Sequence, residues 1–435
     1  MASKRHVIVG AGTAGINAIR ALRQLGNTDE IILVSAETPY SRMVLPYYIE
    51  QGITEAHATT VTPLQLEKWN VETHFGRRAV SLDTKGKILK LDNGDEVAYD
   101  DLLIATGSSA VRPPIPGADN EGVFTFWTMD DARSLHRKLN SHTNVVMIGA
   151  GFISFTILNG IIARAGKVTI VEVEPRILPR MIDDQGAQLV SKWLGEKGVE
   201  IRTGTRVKEI TNGAKNSVVL EDGSSLEADL VVMATGIRTN LEWLEGSGVE
   251  VNAGVKVDDN LRSSVPDVYA AGDVAEGRNL ITGASEVHAI ETTAMEHGRV
   301  VAANMAGKPL AYKGSLLMNI VGVAGLDMAS FGNWNDPQAE VIADVRPERS
   351  SYRKYLFTGG QLTGAIFVGP DAETWAGNDL GMLKGLVQGG QDLGQWKEHF
   401  RKNPFDIRKP YLASQSVSHL MGETVTGTPT PTPRG

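Results

Sequence analysis

Two glycine-rich turns, more than a hundred residues apart, constrain this chain more than any other feature. The first is Gly10-Ala11-Gly12-Thr13-Ala14-Gly15 and the second is Gly149-Ala150-Gly151-Phe152-Ile153-Ser154. Each follows a short apolar run with strand character, residues 6–9 and 144–148, and each opens a segment able to form a helix. In such a strand-turn-helix unit the first glycine makes the tight turn and the second lets the backbone approach phosphates. The helix N-terminus beyond offers unpaired amides at the positive end of its dipole. The chain is therefore expected to hold two dinucleotide pyrophosphates, against Gly10, Gly12 and Gly15 and against Gly149 and Gly151. Two dinucleotides in one polypeptide suggest a hydride relay.

One such turn is a weak signal, and its surroundings strengthen it. About twenty residues after the second turn the run 168–171 ends in Glu172, the acid expected to accept a ribose 2′-hydroxyl, which favours NADH over NADPH. Arg176, close by, argues the other way. After the first turn the run 31–34 ends in Ser35, and the nearest acid is Glu37. Each unit continues through a hairpin signal, Asp92-Asn93-Gly94-Asp95 or Glu221-Asp222-Gly223, to an apolar run ending in Ala105-Thr106-Gly107 or Ala234-Thr235-Gly236. Equivalent order in two halves points to a duplication.

Composition limits the chemistry. At 435 residues the chain is expected to form two or three domains, and a net charge of -8 argues against non-specific nucleic-acid binding. It has no cysteine, which excludes disulfides, thiolate-held zinc or iron-sulfur clusters, and a redox dithiol. The histidines show no paired-ligand spacing, so no metal site is expected. Any redox centre must be a bound organic cofactor. Residues 145–163 carry no charge and are long enough for a membrane helix. Gly149, Gly151, Ser154, Thr156, Asn159 and Gly160 fall inside that run, which reads better as a buried strand, turn and helix. With no membrane span and no signal peptide ahead of the first strand, the protein is expected in the cytoplasm.

Pro113, Pro114 and Pro116 punctuate the chain after the first unit, and from Gly307 the texture changes to strands around 316–323, 352–357 and 362–368. Residues 426–435, rich in threonine and proline, are expected to be extended or disordered.

Together the two turns, the two Ala-Thr-Gly segments and Ala271-Gly272-Asp273 resemble the FAD- and NAD-dependent pyridine nucleotide-disulfide oxidoreductase superfamily over about residues 5–370. The resemblance implies an α/β fold with two Rossmann-like domains: an FAD domain of residues 1–115 and 241–308, split around an NAD domain of residues 116–240. A C-terminal α+β interface domain of residues 309–400 would follow, then a basic and aromatic segment with a flexible tail, residues 401–435. It also implies that Asp273 bonds the flavin ribityl chain, that Thr106 and Gly107 pack near the cofactor, and that Arg42 lines the flavin. Gly236 and Gly272 join Glu37 and Glu172 as expected cofactor contacts. No side chain is assigned a catalytic role.

The departures are informative. Met43 stands where coenzyme A-disulfide reductases and related NADH oxidases carry their redox cysteine, and a thioether forms no persulfide or mixed disulfide. Ser154 replaces the last glycine of the second turn, and Thr156 stands where relatives often place a glutamate near the nicotinamide. The C-terminal region looks like that of nitrite-reductase-type and rubredoxin-reductase-type flavoproteins. Residues 396–405 and 407–411, basic and aromatic in an acidic chain, are expected to dock an acidic electron-transfer protein. The partner expected is an iron-sulfur protein or subunit that exchanges single electrons with the flavin, while NADH or NAD+ exchanges hydride. The loop around Met43 and the basic segment also resemble the flavin subunit of a tungsten-containing aldehyde oxidoreductase complex. A stand-alone NADH oxidase or quinone reductase, and an NADH-sensing binding module, are the alternative readings.

Overall fold

The computed structural model describes residues 3–371 and 379–414, so the Thr/Pro-rich end lies outside the described residues. Two five-stranded parallel sheets have the same layout. The first runs Val71–Phe75, Glu30–Ser35, Arg5–Val9, Asp101–Ile104, Val268–Ala270, and the second Val199–Arg202, Lys167–Val171, Asn144–Ile148, Leu230–Met233, Val123–Thr125. Their inner strands are unbroken apolar runs because both faces are covered. In the first sheet Val7, Ile8, Leu33 and Leu103 are fully buried. An antiparallel meander covers part of each unit, Ala79–Asp83 to Glu96–Ala98 in one and Val207–Thr211 to Ser225–Ala228 in the other.

The fifth strand shows how the units are connected. In the first sheet it comes from Val268–Ala270, after the second unit, whereas in the second it comes from Val123–Thr125, before that unit's own turn. The second unit is thus inserted in the first, and the chain crosses between them twice. The two crossings pair as an antiparallel ribbon of Ser108–Ala110 and Ile237–Thr239.

The uncharged run 145–163 divides into the strand Asn144–Ile148, the turn, and the helix Phe152–Arg164. No helix among the described residues is long and apolar enough to cross a membrane.

A five-stranded antiparallel sheet follows, ordered Met318–Val323, Leu326–Gly332, Gln361–Pro370, Ser351–Thr358, Glu340–Arg346. Two of its strands escape a reading by alternation, since Leu326–Gly332 is buried throughout and Glu340–Arg346 carries charges on the sheet edge. The helix Asp379–Gly389 lays Leu383, Leu386 and Val387 into the same core as Phe331, Tyr355, Phe400 and Ile407. The aromatic side chains of the expected docking surface are therefore largely spent on packing, whereas Arg401, Lys402, Arg408 and Lys409 stay exposed. Phe405 lies against the guanidinium groups of Arg346 and Arg353, each 4.3 Å from its ring centroid, and Lys397 and Arg401 both pair with Glu340 at 2.5 Å.

This sheet shares a hydrophobic core with the second unit, Val323, Met328 and Ile366 falling in one cluster with Phe155, Leu158 and Val190, and polar contacts reinforce it. Asp183 caps the helix Asp184–Glu196 and accepts hydrogen bonds from Tyr352 Oη at 2.7 Å and Lys354 Nζ at 3.0 Å. The hairpin tip at Ala324 donates to Asn159 Oδ1 at 2.7 Å and accepts from Trp193 Nε1 at 3.0 Å.

Candidate functional site

The first turn is closely packed on its inner side. Gly10 has φ +118°, and a Cβ there would sit 2.1 Å from the Ala105 carbonyl oxygen; one on Gly15 would sit 2.0 Å from the Gly10 carbonyl oxygen. The helix Thr13–Gln24 then packs on Glu291–Met305, where a Cβ on Gly298 would meet the Ala14 carbonyl oxygen at 2.3 Å. Gly12 instead faces open space, with Arg42 Nη1, at 3.8 Å from its Cβ position, the only non-adjacent neighbour within 4 Å among the described residues. Arg42 donates to Glu37 at 2.6 Å, and its Nε is buried without a partner. A cation with a donor to spare above a glycine that leaves room is a fit for a pyrophosphate.

Asp273 lies beside this turn and accepts a 2.6 Å hydrogen bond from Ser108 Oγ. Burial pushes its carboxyl up, while Ser108 and the Arg42 charge oppose the rise. Gly272, at φ +78°, donates its amide to His297 Nδ1 at 3.2 Å. Burial holds that imidazole down at about 4, so at neutral pH it is uncharged and can accept.

The second turn repeats the plan with different parts. A Cβ on Gly149 would sit 2.6 Å from the Ala234 carbonyl oxygen, and one on Gly151 would meet nothing within 4 Å. Ser154 does not crowd the turn as a side chain on Gly15 would, and its Oγ donates to the Gly149 carbonyl at 2.6 Å. Glu172, 6% exposed, accepts from the amides of Ala150 at 2.5 Å and Glu174 at 2.9 Å. In the first unit that place belongs to Ser35, whose Oγ accepts from Ala11 and Glu37, both at 3.3 Å. Glu37 lies two residues beyond, held by Tyr40 Oη and Arg42. Arg176 is committed to its own loop, bonding the carbonyls of Pro179 and Ile182 and the Asp184 carboxylate.

Thr106, Gly107 and Gly236 lie at the crossings. Thr106 donates to the Asn240 carbonyl at 3.1 Å and accepts at its own carbonyl from Asn240 Nδ2 at 2.8 Å, while the Gly107 and Gly236 carbonyls accept from the amides of Asn240 and Val111. Ser35, Ser108 and Asn240 escape the motif reading. Ser108 directly follows Ala-Thr-Gly, and Asn240 lies four residues after its counterpart, so position relative to the motif is the signal that could have found them.

A cavity of about 1820 Å³ lies between the second turn, the loop around Arg42 and the C-terminal sheet. Gly149, Gly151, Phe152, Thr156, Glu172 and Gly236 line it from the second unit; Arg42, Met43 and Pro46 from the first; Asn319 to Val323 and Asp327 from the C-terminal sheet. Met43 is 47% exposed. Trp127, also in the wall, is fixed by a 2.7 Å bond from Nε1 to the Ser108 carbonyl.

The model of the pyridine nucleotide-disulphide oxidoreductase family matches residues 4–297. The chain belongs to that family. A second model, the rubredoxin NAD+ reductase C-terminal domain, matches residues 318–375. The chain is 35% identical over 309 residues to a rubredoxin-NAD(+) reductase of Pseudomonas putida, covering 69% of this chain and 80% of that one. It is 30% identical over 417 residues to the epsilon subunit of an NADH-dependent phenylglyoxylate dehydrogenase of Aromatoleum evansii, covering 94% of this chain and 97% of that one. In fold it is similar to a ferredoxin reductase of Rhodopseudomonas palustris, with a TM-score of 0.81 at 26% identity over 95% of this chain and 100% of that one. As a member of this family the protein is an FAD-dependent NAD(H) oxidoreductase.

Proposed function

We propose that this flavoprotein exchanges hydride with NAD(H) at the second turn and single electrons with an iron-sulfur partner, as the flavin subunit of a larger oxidoreductase. Residues 1–115 and 241–308 form its FAD domain, residues 116–240 its NAD domain and residues 309–400 its interface domain. FAD, when bound, accepts a hydride and releases its electrons one at a time. Gly10, Gly12 and Gly15 seat its pyrophosphate with Arg42 above it. Glu37 receives the ribose, Asp273 orients the ribityl hydroxyls, and Thr106, Gly107 and Gly272 shape the backbone around it. Gly149 and Gly151 seat the pyrophosphate of NADH, Glu172 takes its ribose, and Gly236 bounds the nicotinamide side. The cavity runs from the second turn to the loop that carries Arg42 and Met43, which leaves room for the nicotinamide to reach the flavin side.

The observation that carries the reading is Met43 in the wall of that cavity, in a chain with no cysteine at all. Electrons then leave the flavin without passing through sulfur. The Aromatoleum relative, matched over nearly its whole length and named as a subunit, supports the complex, and the Pseudomonas relative, named for rubredoxin, supports an iron-sulfur partner. A tungsten-containing aldehyde oxidoreductase is one complex of this kind.

Anaerobic stopped-flow mixing of the holoprotein with NADH tests the first half: the flavin band should bleach within seconds, and no bleaching in minutes defeats the reading. Purification from the native source tests the second. An iron-sulfur subunit should accompany the chain and reoxidise it faster than oxygen or quinone does. Oxygen or quinone turnover at the partner's rate would favour a stand-alone oxidase.

A further inference from the structure

Besides Glu172, one acid in the cavity wall is buried. Asp327 is 6% exposed, its Oδ2 has no hydrogen-bond partner, and among the described residues it has no ion pair. Gly322, its cross-strand partner, leaves it room, because a Cβ there would sit 2.4 Å from Oδ1. Burial and then the neighbouring Asp371 charge push its carboxyl up to about 6, which leaves it mainly ionised at neutral pH. Glu50 lines the cavity too, its side chain bonded to Asn159, whose Nδ2 donates to the Gly322 carbonyl at 3.0 Å. A buried negative charge without a partner is costly unless a positive charge comes near.

The rest of the wall indicates where that charge comes from. Arg180, Arg206 and Lys208 line the cavity together with Glu172 and Thr205, on the adenosine side of the second turn. The acids instead lie around Asn159, which is three residues beyond Thr156 on the helix Phe152–Arg164, about 4.5 Å further along its axis. A dinucleotide with its ribose at Glu172 and its pyrophosphate at Gly151 directs its other end away from the adenosine side. NAD+ and NADH carry the same pyrophosphate, but only NAD+ has a cationic nicotinamide.

We infer that Glu50 and Asp327 form an acidic wall that makes this site prefer NAD+ to NADH, acting through their field on the pyridinium ring and not by contact. The inference rests on the second turn being the NAD(H) site. Its consequence is that nicotinamide bound here is a stronger hydride donor than in water, because the oxidised product is held more tightly than the reduced form. A unit charge about 10 Å away, at an effective dielectric of about 20 to 40, gives a preference of roughly fourfold to fifteenfold.

The test uses the oxidised FAD holoprotein and two probes, NAD+ and the redox-inert neutral analogue 1,4,5,6-tetrahydro-NAD, with affinities read by calorimetry and by perturbation of the flavin spectrum. The ratio of the two dissociation constants cancels a general loosening of the site, since both probes share the adenosine, the pyrophosphate, the second ribose and the carboxamide and differ only in the ring's charge and saturation, the latter difference being the same in every variant. In Asp327→Asn the preference for NAD+ should fall by roughly fivefold, and in Glu50→Gln it should fall in the same direction. Glu50→Gln decides the matter if Asp327→Asn does not fold. A ratio unchanged from wild type in every variant that folds overturns the inference alone. Failure of both probes to bind wild type that retains its flavin overturns the reading of the second turn, and the inference with it.

Discussion

The two nucleotide units share strand order and turn but differ in how tightly each turn is enclosed. In the first, glycines let backbone meet backbone at Gly10, Gly15 and Gly298, and Arg42 and Asp273 stand around the remaining space. In the second, Ser154 replaces the crowded glycine, a carboxylate replaces Ser35 at the strand end, and the turn opens into a cavity of about 1820 Å³. Close packing suits a cofactor that stays through many turnovers, and an open mouth suits one that must leave after each. One fold, used twice, would thus serve the proposed resident and the proposed visitor differently.

The largest effects should separate the two turns. Gly10→Ala forces a side chain onto φ +118° and to within 2.1 Å of the Ala105 carbonyl oxygen. Strain and overlap of about 3 kcal/mol or more should leave the purified protein nearly colourless, as read from its flavin absorbance relative to protein. Gly151→Ala meets nothing within 4 Å among the described residues, so it should fold and stay yellow. Its methyl would occupy the space through which phosphates approach, raising KM for NADH by about tenfold. If both variants lose flavin equally, the contrast between the units is wrong.

Glu172→Ala is next in size. It removes the acceptor for the amides of Ala150 and Glu174 as well as the proposed ribose contact. NADH binding should weaken by about 10- to 30-fold with flavin content unchanged, measured by titration of the holoprotein with the tetrahydro analogue. Equal affinity in the variant would place the ribose elsewhere.

Which parts of this contrast are visible in sequence follows from the range of the interactions. The glycines, the Ala-Thr-Gly segments and Glu172 are local signals, because turn geometry and helix ends are set within a few residues. Ser35 is not marked by a motif that asks for an acid at the strand end, although a hydroxyl can satisfy the same two amides. Asp327 and Glu50 could not be grouped, since only the docking of the hairpin tip on Asn159 brings them to one wall. The aromatic cluster around Phe400 is only half legible for a related reason. Composition marks it as unusual, but only the tertiary fold shows Phe400 inside the core and Lys397 and Arg401 spent on Glu340.

Acid should also distinguish the units. At the base of the first sheet Asp101 is buried beside Lys4 Nζ and His6 Nδ1, both 3.1 Å from its Oδ2, whereas Leu230 holds the same register position in the second sheet. Burial acts to raise the Asp101 carboxyl, but His6 and Lys4 outweigh it and hold it below the usual carboxylate range. A lowered native value means a stabilisation that is complete above the unfolded value near 3.9 and lost as pH falls through the native one. The first unit should therefore release flavin as pH drops below about 4. Asp101→Asn should cost about 1–2 kcal/mol at pH 7 and flatten that acid dependence, followed by flavin fluorescence and by denaturant melts at each pH.

The smallest effect tests the most local difference between the turns. Ser154→Ala keeps the Cβ that the second turn accommodates but removes the hydroxyl that holds the Gly149 carbonyl at 2.6 Å. Loss of that one bond, about 1 kcal/mol, should weaken NADH by about fivefold and leave flavin unaffected. Ser154→Gly removes the bond too, but lets the helix close on the turn as Gly15 does in the first unit, so it should recover part of the affinity that alanine loses. An alanine variant indistinguishable from wild type would show that the open turn holds its shape without the hydroxyl. Serine would then differ from glycine here only in filling space, and the cavity beyond, not the turn itself, would be what separates the visitor's site from the resident's.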